Sequence, residues 1–348
     1  MLKYKIFNNK TILVTGGTGS FGKKFIQTIY KKSSPKKIII FSRDELKQYN
    51  LQKEFDDEKK FRFFIGDVRD LDRLNKAMEG VDFVIHAAAL KQVPAVEYNP
   101  FEAIKTNILG AKNVIDAAIL NNVKKIIALS TDKAAAPINL YGATKLASDK
   151  LFISANNFVG KKDIKFSVVR YGNVAGSRGS VIPFFLKCKQ KGILPVTDKR
   201  MTRFNITLNH GVDFVIDCLK MMEGGELFVP KIPSLRIMDL VKAISPNSKI
   251  KVVGIRPGEK LHEEMITKSD SLNTIEFKNF YVIFSNAINH ENVKLSSSHK
   301  KNFIKKIKSK GGKLITKQFS YNSESNKEFM TINQIKGLIK NLGITNEL

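Results

Sequence analysis

The sequence has few cysteines, few acidic residues and no long apolar run. Its two cysteines, Cys188 and Cys218, are too few for a disulfide framework or a zinc site, so we expect no metal; both lie in apolar stretches typical of a core. No apolar run approaches the roughly 18 residues of a membrane-spanning helix, and the first one, Thr11–Thr15, is too short for a signal peptide. These absences predict a soluble, cytoplasmic protein that does not insert into membranes.

Acidic residues number 32 against 59 basic ones, which gives a formal net charge of +27. Most of the basic residues are lysines, as in a lysine-biased proteome, and the excess also permits polyanionic partners such as nucleic acid, phospholipid or phosphorylated small molecules. In the most basic segment, Lys300–Lys313, apolar residues recur at helical spacing. We interpret that segment as a packed amphipathic helix rather than a binding tail.

Short β-branched runs alternate with amphipathic stretches through the first half of the chain. The runs are apolar at consecutive positions, as in strands buried on both faces: Thr11–Val14, Lys37–Phe41, Phe61–Ile65, Asp82–His86, Lys124–Leu129 and Lys165–Arg170. Helical patterns lie between them, at Phe21–Lys31, Leu71–Met78, Pro100–Asn121 and Tyr141–Asn156. The alternation predicts an α/β fold with a doubly wound parallel sheet over residues 1–170. Closely spaced prolines after Arg170 predict a smaller C-terminal α/β substrate lobe, residues 171–348, whose chain partly returns to the first domain.

A glycine-rich loop follows the first predicted strand and opens the first predicted helix. Gly16, Gly19 and Gly22 have the spacing G-x-x-G-x-x-G, with Ser20 and Phe21 between the last two. A dinucleotide site needs glycines here because the turn is tight, the backbone approaches the pyrophosphate, and the helix N-terminus faces the phosphates. The position directly after a strand favours a Rossmann dinucleotide-binding domain over a purely structural turn.

The end of the second predicted strand indicates which dinucleotide binds. A basic residue there accommodates a 2′-phosphate, whereas an acid accepts hydrogen bonds from the ribose hydroxyls. Arg43 at the tip and Lys47 one helical turn later favour NADP. Asp44 and Glu45 leave NAD open, unless they serve as acids of a helix N-terminus. Ala87, after the fourth strand, has the small side chain needed where backbone passes close to a cofactor.

Tyr141 and Lys145 form a Y-x-x-x-K pair on one face of a predicted helix. A lysine ammonium near a phenol favours the phenolate, so Tyr141 is predicted to act as an acid and base near neutral pH. The preceding strand ends at Ser130 and Thr131, whose hydroxyls can hydrogen-bond a sugar alcohol. His86, at the end of a buried strand, is interpreted as a satisfied core histidine.

These motifs together resemble the extended short-chain dehydrogenase/reductase family, whose helix asparagine is matched by Asn107. The next pair, Asp132-Lys133, provides proton transfers that a plain 4-epimerase does not need, and retaining dehydratases carry Asp-Glu there. Together with the Asp132-Lys133 pair, four further segments resemble the inverting UDP-N-acetylglucosamine 4,6-dehydratases. These segments are Leu90–Pro100, Tyr171–Phe185, Thr197–Phe204 and Ile255–Met265. Enzymes of that family begin pseudaminic acid synthesis for flagellin and surface glycans. The resemblance extends over nearly the whole chain.

The resemblance implies a redox-neutral reaction on UDP-N-acetylglucosamine: transient oxidation at C-4, loss of water across C-5 and C-6, hydride return and inversion at C-5. It assigns the C-5 proton to Lys133, the C-6 hydroxyl to a protonated Asp132, and the hydride chemistry to Tyr141 and Lys145, with Thr131 beside them. It adds Asp67, Val68 and Val174 to the NADP contacts. The UDP-sugar contacts that it implies are Lys91, Asn173, Arg178, Gly179, Ser180, Val181, Thr197, Arg256, Glu259 and Tyr321. It also suggests a homo-oligomer, either a dimer or a hexamer.

Three alternatives remain open at this stage. A 5-epimerase/dehydratase of the L-fucosamine branch acts on the same substrate, but those relatives lack the helix tyrosine that Tyr141 provides. A UDP-sugar 4-epimerase is disfavoured by the Asp132-Lys133 pair. The net charge permits a non-catalytic nucleic-acid-binding relative, yet a pure binder has no need for these catalytic residues, and we expect no nucleic acid. Taken singly, Arg200, Arg203 and Arg256 would be surface charges.

Overall fold

The computed structural model describes residues 2–55, 57–177, 179–284, 309 and 311–343 of the chain. The first six described strands are parallel: β1 (Thr11–Thr15), β2 (Lys37–Ser42), β3 (Phe61–Ile65), β4 (Phe83–His86), β5 (Lys125–Thr131) and β6 (Lys165–Tyr171). They lie in the order β3-β2-β1-β4-β5-β6, which is the order of a doubly wound dinucleotide-binding sheet. Each predicted run became one of these strands. Most of their apolar residues are buried because helices cover both faces of a parallel sheet; the exception is the edge strand β3, whose Ile65 is exposed.

The helices of this half pack their apolar sides on the sheet. They are α1 (Ser20–Lys32), α2 (Glu45–Gln52), α3 (Leu71–Met78), α4 (Val93–Tyr98), α5 (Pro100–Ile104), α6 (Gly110–Leu120) and α7 (Leu140–Ser154). In α1, for example, Phe25, Ile26 and Ile29 share one face at the helical period and are fully buried, while basic residues occupy the last turn.

The predicted helix Pro100–Asn121 is interrupted. A π-helical turn over Lys105–Leu109 separates α5 from α6, so the single helix expected there is wrong. At this turn the Asn107 amide accepts a hydrogen bond from Leu90 N (2.8 Å) and donates one to Leu90 O (2.9 Å). The turn therefore fixes the loop that follows β4, and such π turns often occur beside functional sites.

The second half returns to the large sheet and also builds a lobe beside it. Its strands and helices are β7 (Asn173–Val174), α8 (Val181–Lys189), β8 (Ile193–Val196), β9 (Thr202–Ile206), α9 (Leu208–Met221), β10 (Glu226–Pro230), β11 (Ser234–Arg236), α10 (Ile237–Ile244), β12 (Lys249–Val252), β13 (Glu264–Ile266), α11 (Lys268–Ser271), β14 (Thr274–Glu276), β15 (Phe280–Phe284), β16 (Lys313–Leu314), β17 (Tyr321–Asn322) and α12 (Ile332–Asn341). Strand β10 runs parallel to β6, and β15, β14 and β16 follow it as antiparallel neighbours.

A second apolar core, separate from the one around the large sheet, lies between α8, β8, α10 and α12. Phe185, Leu194, Leu240 and Ile335 are among its fully or almost fully buried residues. The predicted α/β architecture with a smaller C-terminal lobe is thus confirmed. The division at residue 170 stays a prediction, and β10 and β14–β16 show how much of the second half completes the first sheet.

Two further expectations concern single segments. The predicted basic helix Lys300–Lys313 lies, apart from its last few residues, outside the described part of the chain. Of the two cysteines, Cys218 is buried and Cys188 is half-buried, and both are free thiols. Among the described helices, none combines the length and the apolar character that crossing a membrane requires.

Candidate active site

A cleft of about 1100 Å³ lies at the carboxyl ends of the parallel strands, between the large sheet and the second core. Loops after β1, β2, β4, β5 and β6 form one side of the cleft, because the carboxyl ends of parallel strands meet at one edge of the sheet. Residues from α8, β8 and the loop before β13 form the other side. Ligands of doubly wound sheets bind at this edge, so the cleft is the candidate active site.

The loop after β1 consists largely of glycines because no side chain fits there. Gly16 has a positive φ of 65°, and a Cβ on it would lie 2.9 Å from the backbone of Ala87 and Ala88. A Cβ on Gly22 would lie 2.6 Å from the carbonyl oxygen of Gly16. Helix α1 begins directly after Gly19, so its unpaired N–H groups open on the cleft. The loop therefore fits the pyrophosphate of a dinucleotide, which needs close backbone approach and a helix N-terminus.

The residues at the tip of β2 separate into two roles. Asp44 caps α2 by accepting a hydrogen bond from Lys47 N (2.9 Å), and the Lys47 ammonium also contacts it. The Arg43 side chain is 53% exposed and lies 3.6 Å from Asp67. The Asp44 carboxylate is thus occupied by the helix end, while Arg43 lines the cleft.

Tyr141 and Lys145 lie one turn apart on α7, which begins at its N-cap Asn139. Burial raises the pKa of Tyr141 to about 12, although Lys133 and the hydrogen bond from Thr131 act against the rise. Burial lowers the pKa of Lys145, opposed by the nearby Asp149. The predicted phenolate near neutral pH is therefore not what the protein environment alone produces, because desolvation of the phenol outweighs the neighbouring cations.

Behind this pair, Lys133 lies between two buried carboxylates. Its Nζ is 3.2 Å from Asp132 Oδ1 and 3.0 Å from Glu263 Oε1. Burial alone would lower the pKa of Lys133, but Asp132 and Glu263 outweigh it and hold the pKa above its usual range. Burial raises the pKa of Asp132 against the opposing charge of Lys133. The two carboxylates thus favour the ammonium form of Lys133, while burial shifts Asp132 toward its protonated form.

Glu263 is a site residue that sequence reasoning missed. It belongs to the segment Ile255–Met265, which carried the family resemblance, but nothing in a single sequence shows that it meets Lys133, 130 positions away. Its carboxylate also lies 3.9 Å from Arg203 Nε. Arg203 itself is 8% exposed and donates to the carbonyls of Lys260 and Leu261, so the surface interpretation of that arginine is wrong.

The structure brings most of the predicted site residues to this one cleft. The cofactor set all lines it: Gly16, Gly19, Ser20, Phe21, Gly22, Arg43, Asp44, Lys47, Asp67, Val68, Ala87, Tyr141, Lys145 and Val174. So do Thr131 and Lys133, and from the substrate set Lys91, Asn173, Gly179, Ser180, Val181, Thr197, Arg256 and Glu259. Asp132 is fully buried behind Lys133 and has no surface on the cleft.

Two members of the substrate set are not placed there. Arg178 lies outside the described residues. Tyr321 is not brought to the cleft: its buried hydroxyl donates to Ile232 O (3.0 Å) and accepts from Ile232 N (2.9 Å). Those two bonds satisfy the phenol within the protein, so the structure gives Tyr321 a packing role between β17 and the large sheet.

Known proteins resemble this chain over nearly its whole length. A family model described as polysaccharide biosynthesis protein matches residues 12–285. With the Rossmann sheet, the glycine loop and Thr131, Tyr141 and Lys145 at its edge, the match places the chain among the extended short-chain dehydrogenases/reductases.

Individual relatives indicate which branch of this family the chain resembles. A Campylobacter jejuni protein named UDP-N-acetylglucosamine 4,6-dehydratase (inverting) is 54% identical over 336 residues, covering 96% of this chain and 98% of the relative. A Rickettsia bellii UDP-glucose 4-epimerase is 44% identical over 286 residues, covering 80% and 84%. The crystal structure of Pen from Bacillus thuringiensis has a TM-score of 0.85 at 38% identity, covering 97% and 99%. The chain belongs to the family of the inverting UDP-N-acetylglucosamine 4,6-dehydratases.

Proposed function

We propose that this protein is a UDP-N-acetylglucosamine 4,6-dehydratase that inverts C-5 and forms UDP-2-acetamido-2,6-dideoxy-β-L-arabino-hex-4-ulose. The observation that carries the proposal is the buried group of Asp132, Lys133 and Glu263 beside Tyr141. A 4-epimerase needs one proton shuttle at C-4 and has no use for a second acid–base group. A nucleic-acid-binding relative has no use for either.

The proposed cofactor is NADP, held by the glycine loop and the N-terminus of α1. When bound, it supplies a hydride acceptor for C-4 and a hydride donor for C-6. The choice of NADP over NAD rests on the tip of β2, where Asp44 caps α2 and the half-exposed Arg43 lines the cleft. A guanidinium in that position suits a 2′-phosphate, because arginine forms charge-assisted bonds with phosphate oxygens.

Tyr141, as the phenolate, accepts the proton of the C-4 hydroxyl. Because burial holds the phenol protonated, the hydroxyls of Thr131 and the substrate must share in stabilising the phenolate, and the Lys145 ammonium stabilises it electrostatically. Oxidation at C-4 makes the C-5 proton acidic, since the resulting carbanion is stabilised by the ketone.

Lys133 and Asp132 carry the elimination. The C-5–H bond breaks and its proton passes to the Lys133 amine. The C-6–O bond breaks as Asp132, whose buried side chain must first turn toward the cleft, gives its proton to the oxygen, and water leaves. A raised pKa at Asp132 suits a carboxyl that must hold a proton to donate. A proton then returns to C-5 from the opposite face, which inverts that centre. Lys133 must first lose its own proton, and its two carboxylate neighbours oppose that loss.

The UDP-sugar is proposed to lie across the second half of the cleft. Arg256 lines the cleft with its side chain 69% exposed, so a diphosphate can reach it even though Glu259 pairs with it at 3.1 Å. Residues 171–348 are proposed as the substrate-binding part. We further propose that the enzyme works in the cytoplasm as a dimer or hexamer and that its product enters pseudaminic acid synthesis; these proposals rest on the family resemblance.

Mass spectrometry of the nucleotide sugar after incubation tests the function. The protein loaded with NADP is expected to convert UDP-N-acetylglucosamine to a species lighter by one water. A product of unchanged mass that NMR shows to differ only at C-4 would make the protein an epimerase. Retention on heparin that UDP-sugar does not affect, together with no turnover, would favour the non-catalytic alternative.

A further inference from the structure

The group around Lys133 joins the two halves of the chain. Lys133 is the second residue after β5 of the parallel sheet, whereas Glu263 directly precedes β13 of the second half. Both backbone groups of Glu263 are fixed by Ser323: its N donates to Ser323 Oγ (2.9 Å), and its O accepts from Ser323 N (2.8 Å). The backbone that carries the Glu263 carboxylate is therefore anchored in the second half, while Lys133 is carried by the first.

Among the described residues, the ion pairs of Glu263 are the one with Lys133 at 3.0 Å and a longer one with Arg203 at 3.9 Å. The residue is 2% exposed, and its Oε1 faces Lys133 while Oε2 is buried without a hydrogen-bond partner among the described residues. A carboxylate buried only to stabilise the fold would normally have both oxygens satisfied, because an unsatisfied buried oxygen is costly. The incomplete bonding indicates a group kept for its charge at that point.

We propose that Glu263 is a positioning residue for Lys133: its carboxylate fixes the amine beside Asp132 and controls how readily the amine gives up its proton. The inference rests on the proposed dehydration, in which that amine takes the C-5 proton. It assigns no contact between Glu263 and the sugar.

The charges facing this group determine the sign of the effect. They come from the loop after β5, α7, β9 and the segment before β13, and they are Asp132, Tyr141, Arg203, Lys260 and Glu263. Of these, Asp132 and Glu263 raise the pKa of Lys133, whereas Arg203 lowers it. Removing the charge of Glu263 leaves one carboxylate against the same cations, so Lys133 should lose its proton at lower pH.

The test is the pH dependence of deuterium incorporation at C-5 in UDP-N-acetylglucosamine, followed by NMR for the NADP-loaded enzyme. Exchange should rise with pH as the amine deprotonates. In Glu263→Gln the rise is expected about one to three pH units lower, the range for loss of an adjacent opposite charge. The matched control is Glu264→Gln, because Glu264 faces Ser320 and lies off the cleft. Its profile should coincide with the wild type.

The pH profiles of the variants distinguish a positioning role of Glu263 from a purely structural one. A profile of Glu263→Gln that falls in height but stays at the wild-type pH would mean a structural role and would overturn the inference. Glu263→Asp keeps the negative charge but places it farther from Lys133. Its exchange should therefore rise at a pH between those of the wild type and Glu263→Gln. If Glu263→Gln does not fold, an Asp variant whose rise stays at or above the wild-type pH overturns the inference. Wild-type enzyme that neither exchanges nor dehydrates overturns the proposed function itself, and the inference with it.

Discussion

Replacing Lys133 by methionine removes the amine while keeping the length and apolar bulk of the side chain. In the wild type the ammonium lies within 3.2 Å of Asp132 and 3.0 Å of Glu263, both of which are almost completely buried. Dehydration should fall by at least about 100-fold, the low end for loss of a general base. Deuterium exchange at C-5 should stop, because the base proposed to remove that proton is gone. Binding of NADP should persist, since the glycine loop is untouched.

The same variant should also be less stable. Breaking a buried ion pair costs about 3–5 kcal/mol when one partner is left uncompensated, and we expect the lower end because Arg203 still lies 3.9 Å from Glu263. The charge of Lys133 lowers the pKa of both Asp132 and Glu263 in the wild type, so the folded variant should take up protons at these carboxylates more readily than the folded wild type does. The deficit should therefore shrink as the pH falls. Urea unfolding at several pH values measures it.

Lys125→Met is the matched control for both measurements. Lys125 lies at the opposite end of the same strand, where its Nζ donates to Leu219 O, and it is remote from the cleft. Its dehydration and exchange rates should equal those of the wild type. A folded Lys133→Met enzyme that still incorporates deuterium at C-5 would refute the reasoning and remove Lys133 from the catalytic group.

Three further predictions concern the cofactor, the overall redox balance and the core. Arg43→Ala should weaken NADP binding far more than NAD binding in calorimetry, since it removes the partner of the 2′-phosphate; equal losses would exclude that role. Turnover should cause no net gain in reduced-nicotinamide absorbance, because the hydride returns to the sugar, and steady accumulation in proportion to product would indicate an ordinary dehydrogenase. Burial lowers the pKa of His86 to about 3 from 6.5, so the unfolded chain binds a proton that the folded chain does not. Between those pH values His86 should reduce the unfolding free energy as pH falls, by about 1.4 kcal/mol per unit, and His86→Gln should lack that part of the slope.

Local patterns predicted the strands and helices well because their signal is local. The run Phe61–Ile65 and the helix Leu71–Met78 have the predicted bounds, and the glycine loop lies where a strand turns into a helix. Consecutive apolar residues and the helical period are both set by neighbours in sequence. The π turn at Lys105–Leu109 was missed because side-chain bonds from Asn107 to Leu90 hold it, and those bonds are not visible in the helix pattern.

The site was predictable where a motif is contiguous and was not where distant segments meet. Tyr141 and Lys145 are separated by one helical turn, so their common face follows from spacing alone. Glu263 reaches Lys133 only through the fold, and burial, which no motif encodes, reverses the expected effect on the phenol of Tyr141. The family motif also placed Tyr321 among the substrate contacts, whereas in the structure its hydroxyl bonds to the backbone of Ile232 away from the cleft. A matching segment alone does not show which way its side chains face.

The configuration of the product at C-5 tests the central proposal most directly. UDP-N-acetylglucosamine should be converted in deuterated water by the NADP-loaded enzyme, and the product examined at once by NMR. We expect a 4-keto-6-deoxy sugar of L-arabino configuration that carries deuterium at C-5. A 4-keto-6-deoxy sugar with the original C-5 configuration would contradict inversion, and a 4-epimer that keeps its C-6 hydroxyl would contradict dehydration altogether.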